Sequence, residues 1–331
     1  MKAIKVSAPG KIIIAGEFAV LTDAPAISMA IDKRANVSIQ EHDKKTHILK
    51  TLGFMDKQLP FVVNNNGKIE WLLGKSSDSI RIFFECMWQE VNICPSFHYE
   101  FILDTTGFYE KETKLKYGIG SSAALTVALA SAFIKTFKLS FGVKELALKV
   151  HREFQGVNGS GVDIATSLEG GIIKYFRKEN KALSSLEFPH DLKFRIFWSG
   201  TPVSTPRQLT KVKGFSKKSF LDLKKMAVKF ASNWDQNNQL FLKYLDEYTD
   251  ALMEFSMEYD LNIFGHKHNI LVDLAKKESN LVYKPCGAGG DIGICIASSV
   301  RLLDHFEKSA NQSGFVSLNL QLDKAGLTLE V

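Results

Sequence analysis

The sequence has few cysteines and lacks any long uninterrupted apolar segment. Its cysteines form no Cys-x-x-Cys pair, which argues against a zinc site and is typical of a reducing compartment; the four are Cys86, Cys94, Cys286 and Cys295. No run of about 18 apolar residues is present, so we expect no membrane span. Residues 1–9 also lack the cationic and apolar stretches of a signal peptide, and we therefore expect a cytoplasmic protein.

Charge of one sign is not concentrated anywhere along the chain. The 42 lysines and arginines exceed the 36 aspartates and glutamates and give a net charge of +6. A positive balance suits either nucleic acid or a small anionic substrate. Because the lysines are spread out and no basic block is interleaved with aromatic residues, we expect a small anionic partner and no nucleic acid.

The length of 331 residues exceeds one ordinary core and predicts one large or two moderate domains. Helical and strand-like patterns are mixed without strict alternation, which favours the α+β class. Residues 181–193 are polar and contain Pro189, so we place a boundary there, between domains 1–188 and 189–331.

Hydrophobic periodicity predicts the main elements. Helices are expected after Gly120 and over residues 79–91, 217–232, 236–258 and 267–279. Strands are expected over residues 12–14, 26–31, 35–39, 97–103, 172–176, 194–198 and 292–297. Pro9-Gly10 predicts a turn, residues 41–75 show no clear pattern, and residues 316–322 with 327–331 predict a hairpin.

Residues 118–124, Gly-Ile-Gly-Ser-Ser-Ala-Ala, form a glycine-rich loop directly before an apolar run. The first turn of a helix attracts phosphate through its free N–H groups, and glycines let the backbone approach the anion. A P-loop does not fit elsewhere, because Gly74-Lys75-Ser76 lacks the required glycine at position 69. A dinucleotide fingerprint does not fit this loop either, because it follows the charged residues 111–116. The loop therefore predicts a nucleotide-phosphate site.

Two isolated charged residues stand beside further turns of small residues. Lys11 follows Pro9-Gly10 and is either a solvated lysine or an ammonium that reaches a substrate oxygen. Asp163 ends the loop 156–163 and is either a helix cap or an acid–base group beside Lys11. A third glycine-rich loop occupies residues 286–291. Together these features indicate one shared cleft.

Three of these segments resemble the three motifs of the GHMP kinases, the superfamily of galactokinase, homoserine kinase, mevalonate kinase and phosphomevalonate kinase. Pro9-Gly10-Lys11 with Gly16-Glu17 resembles the first motif, residues 118–124 the second and residues 287–290 the third. The resemblance implies an α+β fold of two domains with ATP between them. The N-terminal domain would be similar to one in ribosomal proteins, and the C-terminal domain would be ferredoxin-like.

Within the superfamily, the chain most resembles phosphomevalonate kinases, through Lys116-Tyr117, Gln155-Gly156 with residues 159–163, Trp198 to Thr205, and Asp291. The resemblance implies phosphorylation of phosphomevalonate to diphosphomevalonate with ATP and Mg²⁺. A mevalonate kinase acting on a hydroxyl is the alternative, and a non-catalytic small-molecule sensor on the same fold is an alternative of another class. We expect a monomer or a homodimer.

The resemblance also implies roles for individual residues. Lys11 and Asp163 would be catalytic, and Ser122 and Glu153 would bind Mg²⁺, although Glu153 is alternatively an exposed helix glutamate. The nucleotide-binding residues would be Lys116, Gly118, Ile119, Gly120, Ser121, Ser122 and Ala123. The substrate-binding residues would be Glu17, Asn158, Ser160, Ser204, Thr205, Arg207, Gly287, Ala288 and Gly289. Lys114 and Lys116 are further candidates for the phosphate of the substrate, and Arg207 is alternatively a surface arginine.

Overall fold

The computed structural model describes residues 3–53, 55–73, 78–156, 159–178, 181–202, 208, 211–212 and 214–330. Of the residues singled out above, Gly74, Lys75, Ser76, Asn158, Ser204, Thr205 and Arg207 lie outside this set. No helix in the described part of the chain is long and apolar enough to cross a membrane.

The larger of two sheets is built mainly from the first half of the chain. Its strands run in the order β13-β1-β2-β6-β3-β4-β5, and β7, followed by β8, pairs with the other end of β2. Their bounds are β1 (Ile4–Ala15), β2 (Ala26–His42), β3 (His47–Leu52), β4 (Lys57–Val63), β5 (Ile69–Trp71), β6 (His98–Asp104), β7 (Ile172–Phe176), β8 (Lys181–Leu186) and β13 (Thr328–Glu330). Strands β3 and β6 are parallel, and the other pairs are antiparallel.

The smaller sheet is antiparallel, with the order β10-β11-β9-β12. Its bounds are β9 (Lys193–Trp198), β10 (Leu281–Pro285), β11 (Ile292–Ala297) and β12 (Val316–Leu318). Every residue of β10 and β11 is buried, because β11 is an inner strand and two helices, residues 238–258 and 268–275, pack on the edge strand β10. The mixed content of the two sheets and their helices confirms the α+β class.

Eight α-helices lie in the described part of the chain. Their bounds are α1 (Ser79–Val91), α2 (Ser121–Phe137), α3 (Val143–Gln155), α4 (Val162–Glu169), α5 (Lys218–Ser232), α6 (Asn238–Glu258), α7 (His268–Ala275) and α8 (Val300–Gln312). Helix α2 is apolar on nearly all sides and packs against β1, β2, α3 and α4, which confirms the buried helix predicted after Gly120. Its N-terminus is thereby fixed beside β1, where the candidate site lies.

Several predicted elements were wrong. The expected turn at Pro9-Gly10 is a register shift inside the continuous strand β1, because a bulge leaves room for a proline that cannot join the ladder. Strand β2 is likewise a single strand where two were predicted. Residues 41–75, which showed no pattern, contribute β3, β4 and β5. The helix predicted over residues 267–279 ends at Ala275.

The predicted C-terminal hairpin does not form, because its two strands join different sheets. Strand β12 pairs with β9, whereas β13 pairs with β1. The intervening segment is held against the larger sheet, since Arg34 of β2 binds the Asp323 carboxylate and donates to the Gly326 carbonyl. The chain thus returns to the larger sheet at its end, and the boundary at residue 188 stays a prediction.

Candidate active site

The second glycine-rich loop leads directly into α2. Gly118 and Gly120 both have φ of +84°, a conformation that residues with a side chain rarely adopt. The Lys11 amide donates a 2.9 Å hydrogen bond to the Ile119 carbonyl, which fastens the loop to β1. A Cβ on Gly120 would lie 3.0 Å from Cγ of Lys11, so the loop and the lysine fit together only with glycine at this position.

A cavity of about 640 Å³ opens in front of this loop. Its polar wall contains cations and hydroxyls together with the two glycines, namely Lys11, Lys116, Gly118, Gly120, Ser121 and Ser122. Its apolar wall comes from β3, α1, β6 and the residues beside them, and includes Leu52, Met55, Ile80, Phe83 and Leu103. Such a division matches a ligand with an anionic part and a flat apolar part, as a nucleotide has.

A second cavity of about 130 Å³ adjoins the first. Its apolar lining includes Ile13, Phe18, Val20, Leu21 and Val162. Its polar lining includes Glu17, His151 and Ser160, and the backbone of Gly287 and Ala288 closes one side. Lys11, Gln155 and Asp163 line both cavities and therefore stand where the two meet.

Asp163 is the second residue of α4, and its side chain points toward α3. Its Oδ1 accepts a 3.0 Å hydrogen bond from the Ile164 amide, and its Oδ2 lies 3.9 Å from Nε2 of His151. That imidazole nitrogen is 3.0 Å from Nε2 of Gln155. His151 and Gln155 are four residues apart on α3 and so share a face, a spacing that could have identified them from the sequence.

Glu153 does not reach either cavity. It is exposed and lies about 200° around α3 from both His151 and Gln155, since successive helical residues are about 100° apart. The geometry therefore does not support Glu153 as a metal ligand. Among the described residues, no three His, Cys, Asp or Glu side chains form a cluster that could hold a metal ion.

Asp291 of the third loop packs directly on the second loop. A Cβ on Gly118 would overlap with Oδ2 of Asp291. Burial raises the pKa of the Asp291 carboxyl to about 7, against the opposing effects of the Ile292 amide and the charges of Lys11 and Lys116. Burial also lowers the pKa of Lys116, although Asp291 partly restores it. The large cavity therefore contains a carboxyl group beside its two lysines.

The end of β9 supports the third loop. The Ser199 amide donates a 2.8 Å hydrogen bond to the Asp291 carbonyl, and the Ser199 hydroxyl donates a 2.7 Å bond to the Gly290 carbonyl. Pro202 in the same segment lines the large cavity. The stretch from Trp198 onward thus meets the third loop and the nucleotide side of the site.

Tyr109 is a residue of the site that sequence reasoning missed. It lines the large cavity, and its phenol is hydrogen-bonded to the side chains of Ser121 and Thr105. Burial raises the pKa of this phenol. Because Tyr109 belongs to a charged surface loop in the sequence, no local pattern marked it as part of the site.

The remaining predicted residues divide between the site and its surroundings. Glu17, Ser160, Gly287 and Ala288 line the small cavity, and Ser121, Ser122 and Ala123 line the large one. Besides Glu153, three described residues from the prediction line neither cavity: Ile119 is buried, Gly289 packs on Ile263, and Lys114 is exposed.

Comparison with known families identifies the larger domain. Residues 84–171 match the family model described as the GHMP kinases N terminal domain, and this stretch contains the second glycine-rich loop and Asp163. This stretch of the chain is therefore similar to the N-terminal domain of the GHMP kinases. The motif resemblance of the sequence is thereby confirmed.

Relatives of this chain have two different names. The mevalonate kinase of Pyrococcus abyssi is 26 % identical over 303 residues, which cover 87 % of this chain and 83 % of that relative. The phosphomevalonate kinase of Saccharolobus solfataricus is also 26 % identical, over 345 residues that cover 99 % of both chains. The chain is therefore related to both groups of kinases.

Solved structures show the same fold. A Lin0012 protein from Listeria innocua has a TM-score of 0.81 and 22 % identity, with 99 % of each chain covered. The Streptococcus pneumoniae phosphomevalonate kinase in complex with phosphomevalonate and AMPPNP has a TM-score of 0.74 and 18 % identity, with 97 % of this chain and 100 % of that chain covered. These similarities confirm the two-domain GHMP kinase fold.

Proposed function

We propose that the chain transfers the terminal phosphoryl group of ATP to phosphomevalonate, giving diphosphomevalonate and ADP. The observation that carries this proposal is the position of Lys11 and Asp163 at the junction of a large and a small cavity. Phosphoryl transfer needs the donor and the acceptor in line and the charge between them neutralised. A nucleotide in the large cavity and a small acid in the adjoining cavity would meet at this junction.

The nucleotide would bind through the walls already described. Its phosphates would lie along the second loop, where backbone N–H groups, Ser121, Ser122 and Lys116 supply donors. Its base would lie against the apolar wall of α1, β3 and β6. The close packing of both loop glycines supports this assignment, because a side chain at Gly118 would displace Asp291 and one at Gly120 would displace Lys11 from the cavity wall.

Lys11 and Asp163 would act on the acceptor. The Lys11 ammonium would stabilise negative charge that passes between donor and acceptor oxygens. A phosphate nucleophile is already anionic, so Asp163 need only orient it, whereas a hydroxyl nucleophile would need a group that removes its proton. His151 would hold Asp163 from the side of α3.

Residues of the large cavity also fit Mg²⁺. This ion takes oxygen ligands and binds proteins through one or two side chains together with substrate phosphates. Ser122 and Asp163 line the large cavity and would supply a hydroxyl and a carboxylate, whereas Glu153 would not take part. A magnesium ion held there would neutralise phosphate charge.

Phosphomevalonate is favoured over mevalonate by residues that converge on the third loop. Lys116, Asp291 and the segment after Trp198 carry the phosphomevalonate kinase resemblance in the sequence. In the fold, Asp291 lies on Gly118 beside Lys116, and Ser199 is bonded to the backbone of Asp291. The relative that aligns over 99 % of both chains is also a phosphomevalonate kinase.

Mevalonate is the second candidate, favoured by the charge of the small cavity. Among its described lining residues, Lys11 and His151 alone can carry a positive charge. Fewer cations suit an acceptor with a neutral hydroxyl better than one with a phosphate. The Pyrococcus abyssi relative is a mevalonate kinase, which is consistent with this alternative.

Release of ADP from MgATP tests the proposal, with phosphomevalonate and mevalonate compared at equal concentrations. We expect a strong preference for phosphomevalonate. A preference for mevalonate would contradict phosphomevalonate as the substrate but would support kinase activity. Release of no ADP with either acid would favour the non-catalytic sensor.

The variant Asp163→Asn, assayed with the active substrate, distinguishes a phosphate acceptor from a hydroxyl acceptor. With Mg²⁺ at a saturating concentration, a phosphate acceptor predicts a loss of about tenfold or less in kcat, because no proton has to be removed and the amide oxygen of asparagine can still bind the ion. A hydroxyl acceptor predicts a loss of about 10²–10⁴, the usual contribution of a general base. The measurement is kcat at saturating concentrations of both substrates. A thermal unfolding temperature equal to that of the wild type is the control for folding.

A further inference from the structure

Lys284 is a buried lysine for which the reaction has no direct use. It lies near the end of β10, directly ahead of the third loop, and is fully buried. Its Nζ lies 2.5 Å from Oε1 of Glu17, which is itself only 4 % exposed. Taking such a pair out of water is favourable only when its remaining polar atoms are also satisfied.

Tyr248 satisfies the rest of the Glu17 carboxylate from a distant helix. Its hydroxyl donates a 2.6 Å hydrogen bond to Oε2 of Glu17 and accepts a 2.8 Å bond from the Gly16 amide. Burial and the charge of Glu17 raise the pKa of this phenol well above 10, so the hydroxyl keeps the proton that it donates. Helix α6 is thereby joined to the end of β1.

The third loop is the last member of this network. The Gly287 amide donates a 3.3 Å hydrogen bond to Oε1 of Glu17. Glu17 therefore contacts β10, α6 and the third loop through one carboxylate. This set of four residues, Glu17, Tyr248, Lys284 and Gly287, is called the Glu17 network below.

The Glu17 network borders one cavity and not the other. Gly16, Glu17, Gly287 and Ala288 all line the small cavity, and none of them lines the large one. Tyr248 lines neither cavity and so acts only through Glu17 and Gly16. A change in Tyr248 should therefore move the wall of the small cavity and leave the nucleotide wall in place.

We propose that Tyr248 and Lys284 are positioning residues for the acceptor: they hold Glu17, and Glu17 holds the third loop against the small cavity. This inference rests on the proposed function, in which the acid binds in that cavity. Glu17 then acts by fixing Gly287 and Ala288, since its own oxygens are occupied by Lys284, Tyr248 and Gly287.

The first test is Tyr248→Phe, which removes one oxygen and keeps the ring. We expect KM for the acid substrate to rise about tenfold, because a hydrogen bond to a charged group is lost. The dissociation constant for ADP should stay within about twofold. Tyr259→Phe is the matched control: Tyr259 follows the same helix, its hydroxyl donates to the Gly214 carbonyl at 3.2 Å, and it lines neither cavity.

The charge pair is tested by comparing Lys284→Met with the double variant Glu17→Gln/Lys284→Met. The single change leaves a carboxylate buried without its cation and should lower stability sharply, whereas the double change should recover most of it. If the Glu17 network positions the third loop, KM for the acid substrate stays raised in the double variant even though its stability has recovered. Recovery of KM together with stability would contradict the proposal and leave the pair a merely structural role.

A measurement without substrate separates this inference from the proposed function. Amide hydrogen exchange at Gly16 and Gly287 should be about tenfold faster in Tyr248→Phe than in the wild type, because local opening becomes easier. Wild-type inactivity on both acids would refute the proposed function, and the exchange rates would still test the network. If the exchange rates and the KM of Tyr248→Phe both match those of Tyr259→Phe, the inference that Tyr248 positions the third loop is overturned.

Discussion

The two cavities differ in how the chain builds them. Most of the polar wall of the large cavity comes from one short stretch, Gly118 to Ala123, at the start of a buried helix, to which Lys11 and Lys116 are added. The small cavity is assembled from β1, the segment after it, α3, α4 and the third loop. The proposed nucleotide site is therefore encoded largely by a local segment, whereas the proposed acceptor site depends on the packing of distant parts of the chain.

The two buried carboxyls of the site differ in the same way. Glu17 beside the small cavity is paired with Lys284 and Tyr248. Asp291 in the large cavity accepts from the Ile292 amide and has a pKa of about 7. The acceptor side therefore uses its carboxylate to hold structure, and the nucleotide side keeps a carboxyl whose charge depends on pH.

Replacement of Lys11 should have the largest effect, because Lys11 lines both cavities. We expect Lys11→Met to lower kcat by about 10²–10³, the usual result of removing one group that stabilises transferred charge. Steady-state ADP release measures the loss. Lys5→Met, on the exposed side of the same strand, is the control and should retain full activity. A rise in KM without a fall in kcat in Lys11→Met would contradict the role of Lys11 at the junction of the two cavities.

Asp291→Asn should change stability with pH. The folded carboxyl has a pKa of about 7 and the unfolded one about 3.9, so between these values the folded state binds more protons and wild-type stability falls as pH rises. The asparagine variant lacks this penalty and should be more stable by about 4 kcal/mol at pH 8 but only about 1.5 kcal/mol at pH 5.

Urea unfolding at pH 5 and pH 8 measures this difference. Asp235→Asn, which removes the charge of an exposed carboxylate, is the control for the change in net charge. An equal gain at both pH values in Asp291→Asn would show that the carboxyl of the large cavity titrates normally.

Alanine at the two loops separates the cavities. Gly118→Ala combines a positive φ with overlap on Asp291 and should weaken ADP binding about 10- to 100-fold. Gly287→Ala has a similar φ of +65° but no atom near the added Cβ, so it should leave ADP binding within about threefold. Calorimetric titration with ADP compares the two, and equal losses would contradict the division between the cavities.

Tyr109→Phe should have the smallest effect. Loss of the hydrogen bond that orients the Ser121 hydroxyl should raise KM for ATP about three- to tenfold, with KM for the acid unchanged. Tyr99→Phe, also buried but lining neither cavity, is the matched control. A larger rise in KM for the acid than in KM for ATP would contradict the position of Tyr109 in the large cavity as the cause of the effect.

Sequence reasoning predicted the local half of the site better than the assembled half. The second loop and α2 were predicted because glycines, serines and the apolar run are consecutive. The contact between Glu17 and Tyr248 spans 231 positions, and no local pattern encodes it. His151 and Gln155 could have been found from their helical spacing, whereas Glu153 was chosen for its charge and points away from both cavities.

The fold shows the same limit. The α+β class followed from periodicity, but the C-terminal hairpin was wrong because Arg34 draws Asp323 to the larger sheet. That contact joins residues 289 positions apart. Bulges such as the one at Pro9-Gly10 were also missed, since the same dipeptide serves a turn or an irregular strand.

The most direct test of the account is the identity of the product, measured by ³¹P NMR after incubation with MgATP and phosphomevalonate. A donor and an acceptor that meet at Lys11 and Asp163 predict ADP together with two coupled phosphorus signals of a new diphosphate ester. Unchanged phosphomevalonate with no ADP, under conditions where the protein is folded, would contradict it.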